Sequence, residues 1–306
     1  MLAQASRRAR HPALGTALGA ALGTWHPAPG TSIACMLADV HESGRISPVI
    51  SSRHHPLVAR FREAARGGTG TPLLLDGPHL VLEALDARIP LLDVAMSADS
   101  ADTAEMAQIR RRVPSTHIVT AQVMDALSPT RTPAGVVALA DRPASREEDL
   151  FDGPAPLVII AVDVQDPGNL GAILRTAEAA GASGVMATTG GADPMGWKAV
   201  RGSMGSVLRL PVLRVADASE ALAIARRHSI RCAAAVRDGG DSMHAVDLTG
   251  PLAIVVGGEG SGLSEATIEA SDLRVSIPMA PQVESLNVAT SAALLLYEAR
   301  RQRTRG

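Results

Sequence analysis

Two uninterrupted apolar segments, each followed by a polar loop, constrain the fold of this chain more than any other feature. Leu157–Val162 and residues 252–256 contain only aliphatic side chains. Apolar runs without alternation are typical of parallel strands that are covered on both faces. Further strands are predicted at 184–187, 209–213, 231–236 and 275–277, and helices at 169–180, 219–228 and 287–301. This alternation predicts an α/β fold with a parallel sheet over residues 157–306.

The preceding residues, 46–142, show the same alternation in shorter elements. The predicted strands are 73–75, 92–96, 117–120 and 136–140. The predicted helices are 51–66, 81–85, 103–112 and 121–127. These elements predict a smaller α/β sandwich domain, and a chain of 306 residues has the length of two domains. Residues 143–156 contain two Pro–Ala pairs and an acidic run, which predicts a linker.

Residues 1–45 differ from the rest in composition. No acidic residue precedes Asp39, and an arginine cluster at 7–10 is followed by an Ala/Leu/Gly-rich run at 13–23. This pattern resembles the start of a signal peptide, but residues 26–30 offer no good small-residue cleavage site. We therefore expect residues 1–45 to be a disordered extension, or to lie upstream of a start at Met36.

The composition excludes several kinds of site. The chain has two Trp, one Tyr and two Phe, too few for a base-stacking platform of the single-strand-binding kind. Cys35 and Cys232 have no Cys or His at metal-ligand spacing, which excludes a zinc module and a disulfide framework. No run approaches the roughly 20 apolar residues that span a bilayer. With a net charge of -2, nucleic-acid binding must rely on local basic patches.

Three loops follow strands at the edge where α/β sheets bind ligands. The first, 163–176, begins a helix whose free backbone N–H groups favour an anion. Arg175 within it can hold a phosphate through two hydrogen bonds. Taken alone, the segment is equally well explained as a capped helix with a solvated arginine, with Asn169 as the N-cap.

The second and third loops carry the remaining polar groups. Residues 257–262 include four glycines, which let a backbone approach a ligand closely, and one charged group, Glu259. The third loop, 277–287, is stiffened by two prolines and offers Ser285 and Asn287. A flexible turn and a helix N-cap are the alternative interpretations of these two loops.

Together and in this order, the loops resemble the three motifs of the SpoU/TrmH family of RNA ribose methyltransferases, in the SPOUT (α/β-knot) superfamily. The matching text is Asn169 with Arg175, then GGEGSGLS at 257–264, then IPM at 277–279 with SLNV at 285–288. Residues 50–58 and 127–136 also resemble the opening and close of the family's substrate-binding domain, which is similar to a large-subunit ribosomal protein.

The resemblance implies a trefoil-knotted parallel-sheet domain, whose carboxyl-terminal segment threads through a preceding loop, and a smaller N-terminal α/β sandwich. It implies transfer of a methyl group from S-adenosylmethionine to a ribose 2'-hydroxyl of RNA, without a metal. It further implies a homodimer packed through the knotted domain, and we expect a cytoplasmic protein without a membrane segment. By motif position, the cofactor-binding residues are Gly257, Gly258, Ile277, Pro278, Met279 and Leu286.

The resemblance also assigns catalytic roles. Arg175 matches the family's catalytic arginine, and the residues expected to position it and the ribose are Asn169, Glu259, Ser285 and Asn287. Because arginine stays protonated in proteins, we expect Arg175 to bind a phosphate and stabilise the developing alkoxide rather than to remove a proton. RNA contacts are expected from Arg53, Arg131 and Arg175.

Two rival functions fit part of the sequence. A catalytically silent RNA-binding assembly factor would have the same fold, but the intact Arg175, Glu259 and Asn287 argue against it. A nucleotide-binding Rossmann enzyme over residues 157–306 would need a glycine pattern after its first strand, which is missing here. Transfer RNA remains an alternative substrate, although the two-domain arrangement favours ribosomal RNA.

Overall fold

The computed structural model describes residues 49–68, 70–100, 102–260 and 262–304. The extension expected over residues 1–45 lies outside this part of the chain. The described residues belong to one unit, Ser47–Gly306, which contains two β-sheets. None of its described helices has the length and apolar character needed to cross a bilayer.

The first sheet has four strands in the order β1-β4-β2-β3. The strands are β1 (Leu73–Asp76), β2 (Leu91–Ser97), β3 (His117–Val119) and β4 (Val136–Ala140). The helices around it are α1 (Pro56–Arg66), α2 (Pro78–Asp86), α3 (Ala104–Arg112) and α4 (Ala121–Leu127). The helix predicted from residue 51 begins only at Pro56, because proline suits a first helical turn and the His55 ring accepts the Leu57 N–H.

The second sheet has seven parallel strands in the order β7-β6-β5-β10-β8-β11-β9, which confirms the predicted parallel α/β fold. Its strands are β5 (Leu157–Val162), β6 (Gly184–Thr188), β7 (Val212–Val215), β8 (Arg231–Val236), β9 (Asp241–Ser242), β10 (Leu252–Gly257) and β11 (Leu273–Ser276). Every residue of β5 is buried, as the uninterrupted apolar run predicts.

Five helices accompany this sheet: α5 (Pro167–Ala180), α6 (Trp197–Gly202), α7 (Ala218–Arg227), α8 (Glu265–Glu269) and α9 (Val288–Arg303). The short helices α6 and α8 were not predicted. The strand predicted from residue 209 begins only at Val212, because a 3-10 turn precedes it and Arg209 pairs with Glu83 of α2 and Glu178 of α5. Arg209 thereby joins the helices of the two sheets.

The segment predicted as a linker packs onto the second sheet. Residues Glu147–Phe151 form a 3-10 turn that buries Leu150 against β6. The Ser183 hydroxyl donates to the Leu150 carbonyl at 2.6 Å. The ring of Phe151 stacks on His228 with 4.2 Å between ring centroids. Residues 147–151 of the segment that connects the two sheets are therefore packed against the second sheet's domain.

The last helix, α9, is buried on one side only. It packs on α5 and β10 through Ala292, Leu295 and Leu296 but leaves Leu294 and Tyr297 exposed. To reach α5 from β11, residues 277–287 cross the carboxyl ends of β8 and β10. The knot that the resemblance implies stays a prediction.

Glu298 of α9 provides a test of how this helix is fixed. Two hydrogen bonds from Arg301 (2.8 and 2.6 Å) outweigh burial and, with Gln302 and the nearby His244, lower the pKa of Glu298 to about 2. A lowered pKa stabilises the fold above the ordinary value of 4.5, and this contribution is lost as the pH falls towards 2. We expect the stability difference between the parent and Glu298→Gln, measured by urea unfolding, to shrink between pH 5 and pH 3. A difference that stays constant over that range would contradict this role.

Candidate active site

A cavity of about 520 Å³ lies at the carboxyl edge of the second sheet. Its walls come from the ends of β8, β10 and β11 and from the segment that leads into α9. Five of the predicted cofactor residues line it: Gly257, Gly258, Ile277, Met279 and Leu286. Pro278 does not line it. The fold therefore brings the second and third loops together around one space.

Glycine at the end of β10 is required by close backbone contacts. A Cβ on Gly257 would lie 2.5 Å from the Leu263 nitrogen, and one on Gly258 would lie 2.8 Å from the Asp163 carbonyl carbon. Gly258 and Gly262 also form a β-bridge. These glycines therefore allow the backbone segments of the cavity wall to pack against each other. The sequence analysis assigned them only the role of letting the backbone approach a ligand.

A chain of side-chain hydrogen bonds connects the three loops. Asn287 Nδ2 donates to Asn169 Oδ1 at 3.0 Å, and Asn169 Nδ2 donates to Glu259 Oε1 at 2.6 Å. The other carboxylate oxygen of Glu259 accepts from the Gln165 backbone N–H at 3.2 Å. Asn287 and Glu259 line the cavity, and Asn169 joins them from α5. We call Asn287, Asn169 and Glu259 the amide–carboxylate chain.

The predicted N-cap role of Asn169 is wrong. The N-cap of α5 is Asp166, whose Oδ1 accepts the Asn169 backbone N–H at 2.8 Å, so the helix begins at Pro167. A side chain in the first turn of a helix, unlike the N-cap side chain, does not need to satisfy the helix backbone. The Asn169 amide is therefore free to reach Glu259.

Glu259 is ionised at neutral pH. Burial opposes its charge, but hydrogen bonds from Asn169 and backbone N–H groups outweigh burial and hold the pKa of the carboxyl below its ordinary value. A general base works best with a pKa near the operating pH. Glu259 thus suits a positioning role, and its negative charge faces the cavity.

Asn287 has two functions that one substitution can separate. Its Oδ1 caps α9 by accepting the Ala289 and Thr290 N–H groups, whereas its Nδ2 holds Asn169. Asn287→Asp retains the cap but loses the donor and adds a charge near Glu259. We expect an unchanged Tm and a fall in kcat/KM of about tenfold or more. Full activity at an unchanged Tm would mean that Asn287 is a helix cap only.

The remaining predicted site residues are placed differently. Ser285 lines the cavity. Arg175 lies on the exposed side of α5, does not line the cavity and makes no ion pair with another described residue. Arg53 donates to the Gln122 carbonyl at the start of α4, and Arg131 is exposed in the loop before β4. Of these predicted residues, Ser285 is therefore the one that lines the cavity.

Sequence reasoning missed some of the lining residues. Arg237 follows β8, and Glu284 lies in the third loop. Arg237 could have been found, because it directly follows an apolar strand at the ligand-binding edge of the sheet. Glu284 had no signal of its own apart from its position in the third loop.

Comparison with known proteins agrees with this geometry. The model of the SpoU rRNA Methylase family matches residues 156–297, and that of the RNA 2'-O ribose methyltransferase substrate binding domain matches residues 74–145. An uncharacterized tRNA/rRNA methyltransferase of Synechocystis is 34% identical, over 83% of this chain and 93% of that protein. The chain belongs to the SpoU rRNA methylase family. Its members act on RNA ribose, with S-adenosylmethionine as methyl donor.

Other SpoU relatives are similar along most of their length. The 23S rRNA (guanosine(2553)-2'-O)-methyltransferase RlmP of Bacillus subtilis is 31% identical, over 74% of this chain and 88% of that protein. The crystal structure of the SpoU methyltransferase AviRb from Streptomyces viridochromogenes with its cofactor AdoMet has a TM-score of 0.72 and 29% identity. The aligned region covers 81% of this chain and 98% of the AviRb chain.

The residues around the cavity fit S-adenosylmethionine. The volume of the cavity is within the usual range for small-molecule sites, roughly 300–1,000 Å³. Ile277, Met279 and Leu286 provide apolar walls. Glu259 and Glu284 provide negative charge for a cationic ligand. S-adenosylmethionine, when bound, supplies an electrophilic methyl group on a sulfonium.

Proposed function

We propose that this SpoU family chain methylates a ribose 2'-hydroxyl in ribosomal RNA, with the methyl donor in the cavity beside the amide–carboxylate chain. The observation that carries the proposal is the convergence of Gly257, Glu259 and Asn287 around that cavity. The names of the relatives, which include 23S rRNA methyltransferases, support ribosomal rather than transfer RNA. An rRNA substrate in turn supports a cytoplasmic location.

Arg175 acts in this proposal at the cavity of a second copy. Arg175 is exposed and does not line the cavity of its own chain, and Leu294 and Tyr297 leave an apolar strip exposed on α9. This exposed apolar strip supports a homodimer in which a second copy covers it, through the domain that contains the second sheet. Arg175 then holds the neighbouring phosphate in a bidentate grip and stabilises the developing alkoxide.

The proton of the 2'-hydroxyl goes to that phosphate or to water. Arg175 does not release its own proton, and the lowered pKa of Glu259 makes it a poor base near neutral pH. Ser285, on the cavity wall, orients the ribose.

The same proposal divides the chain into a substrate-binding domain over 46–142, a connecting segment over 143–156 and a methyltransferase domain over 157–306. The limits of the two matching family models support this division. Arg53 and Arg131 are exposed and supply RNA contacts from the substrate-binding domain.

Mapping 2'-O-methylation in total RNA, with and without the gene, tests the function. We expect one or a few ribosomal ribose positions to lose methylation when the gene is deleted and to regain it with the wild-type chain. Loss of methylation in transfer RNA instead would identify transfer RNA, and not ribosomal RNA, as the substrate. Unchanged methylation, together with intact S-adenosylmethionine and RNA binding, would favour the assembly-factor alternative.

A further inference from the structure

A second cavity, of about 450 Å³, lies in the first sheet's domain. It is enclosed by the end of β2, the start of α3, the helix α4 and the loop before β4. Building on the proposed function, we infer that this cavity binds an unstacked guanine base of the substrate RNA. Base recognition then lies at a site that shares no lining residue with the methyl-donor cavity.

The cavity combines an apolar floor with a rim of hydrogen-bond acceptors. Met106 and Met124 form the floor and are 3% and 2% exposed. The rim carries three exposed carboxylates: Asp99, Glu105 and Asp125. None of these three forms an ion pair with a residue in the described part of the chain. Polarizable Met side chains pack favourably against aromatic rings, including those of bases.

A buried hydroxyl at the same place lacks a partner. Ser100 Oγ is inaccessible to solvent and makes no hydrogen bond with the described residues. Buried polar atoms are almost always hydrogen-bonded, so an orphaned hydroxyl calls for a partner. Ser100 lines the cavity, and a χ1 rotation that turns its shielded Oγ towards the cavity would let a base seated there supply that partner.

The chemistry of the rim selects the occupant. Carboxylates accept hydrogen bonds and repel phosphate, so they suit the donor-rich edge of a base. No three His, Cys, Asp or Glu side chains among the described residues are arranged to hold a metal ion. Guanine presents N1–H and the N2 amino group side by side and can satisfy both oxygens of one carboxylate, whereas the other bases present only one donor group on that edge. Proteins recognise RNA largely through such unstacked bases.

Positive charge lies beside the cavity rather than in it. Arg53 Nε donates to the carbonyl of Gln122, which follows the lining residue Ala121. Arg131 precedes the lining residue Pro133 by two positions and is exposed. Guanidinium groups here can hold the phosphates on either side of an inserted base. This arrangement separates base recognition from backbone attraction.

Methionine methyl signals provide a direct test with the full chain. We would label methionine methyl groups with carbon-13, assign Met106, Met124 and Met279 by substitution with leucine, and titrate GMP to millimolar concentration. GMP should shift Met106 and Met124 but not Met279, whereas S-adenosylmethionine should shift Met279 alone. IMP, which lacks the N2 amino group, should bind about tenfold more weakly than GMP or worse.

Substitutions of the rim carboxylates test whether they are responsible for the binding of GMP that the methyl signals report. Asp99→Asn with Asp125→Asn should remove the preference for GMP over IMP, and the matched control Glu63→Gln, an exposed carboxylate on α1, should retain it. Unshifted Met106 and Met124, or equal binding of GMP, AMP and IMP, would overturn the inference. If Met279 ignores S-adenosylmethionine while Met106 responds to GMP, the methyl-donor assignment fails and the base site stands.

Discussion

Replacing Arg175 with alanine is expected to lower kcat for RNA methylation by about 100- to 1,000-fold, the usual cost of removing a group that stabilises developing negative charge. The affinity for S-adenosylmethionine should not change, because Arg175 does not line the methyl-donor cavity. Arg175→Lys keeps the charge but loses the planar fork, so it should recover only part of the rate. Single-turnover methylation and calorimetric titration measure the two quantities separately.

The control for this experiment is Arg62→Ala, which removes another exposed arginine, in α1. Mixing chains then tests whether Arg175 serves a second copy. Arg175→Ala chains retain an intact cavity, and chains with a damaged cavity retain Arg175, so their mixed dimer contains one complete site. Activity that reappears on mixing is the expected result. A mixture as inactive as its components would place Arg175 at its own chain's cavity.

The sheet that supports this chemistry was predictable because burial on both faces leaves a strong signal. Every residue of β5 is apolar and buried, and β10 is apolar up to Gly257, so the two central strands were found within one residue of their ends. Because β5 and β10 are neighbours in the sheet, the polar loops that follow them lie next to each other at its carboxyl edge. Ordering the loops along the sequence was then enough to recognise the family motifs.

The features that sequence reasoning missed depend on distant parts of the chain. The local sequence around Asn169 suits a helix cap, and only the position of Glu259, 90 residues away, reveals the contact of its side chain. Arg209 looked like part of a strand, but its pairing with Glu83 and Glu178 depends on how two sheets approach each other. The buried Leu150 of the supposed linker has the same cause. Local composition contains none of this information.

Gly258→Ala should have an effect second only to that of Arg175, but of a different kind. Its added Cβ would lie 2.8 Å from the Asp163 carbonyl carbon and closer still to the oxygen. Because the obstacle is backbone, no side-chain rotation can relieve it, and overpacking of this kind costs about 1–3 kcal/mol or more. Asp163 already has a left-handed backbone, with φ of 51°, so it has little freedom to move. We expect S-adenosylmethionine affinity to fall by about 10- to 100-fold and the Tm to fall with it.

Gly250→Ala is the matched control, since it adds the same methyl group to the segment that precedes β10. Its Cβ would meet only the Arg231 guanidinium at 3.8 Å, and its φ lies outside the left-handed region. Affinity and Tm should therefore match those of the parent. If Gly258→Ala binds S-adenosylmethionine as the parent does, the contact between the ends of β5 and β10 does not form the wall of the donor site. If both variants lose affinity equally, the loss reflects general sensitivity of this region rather than the backbone contact at Gly258.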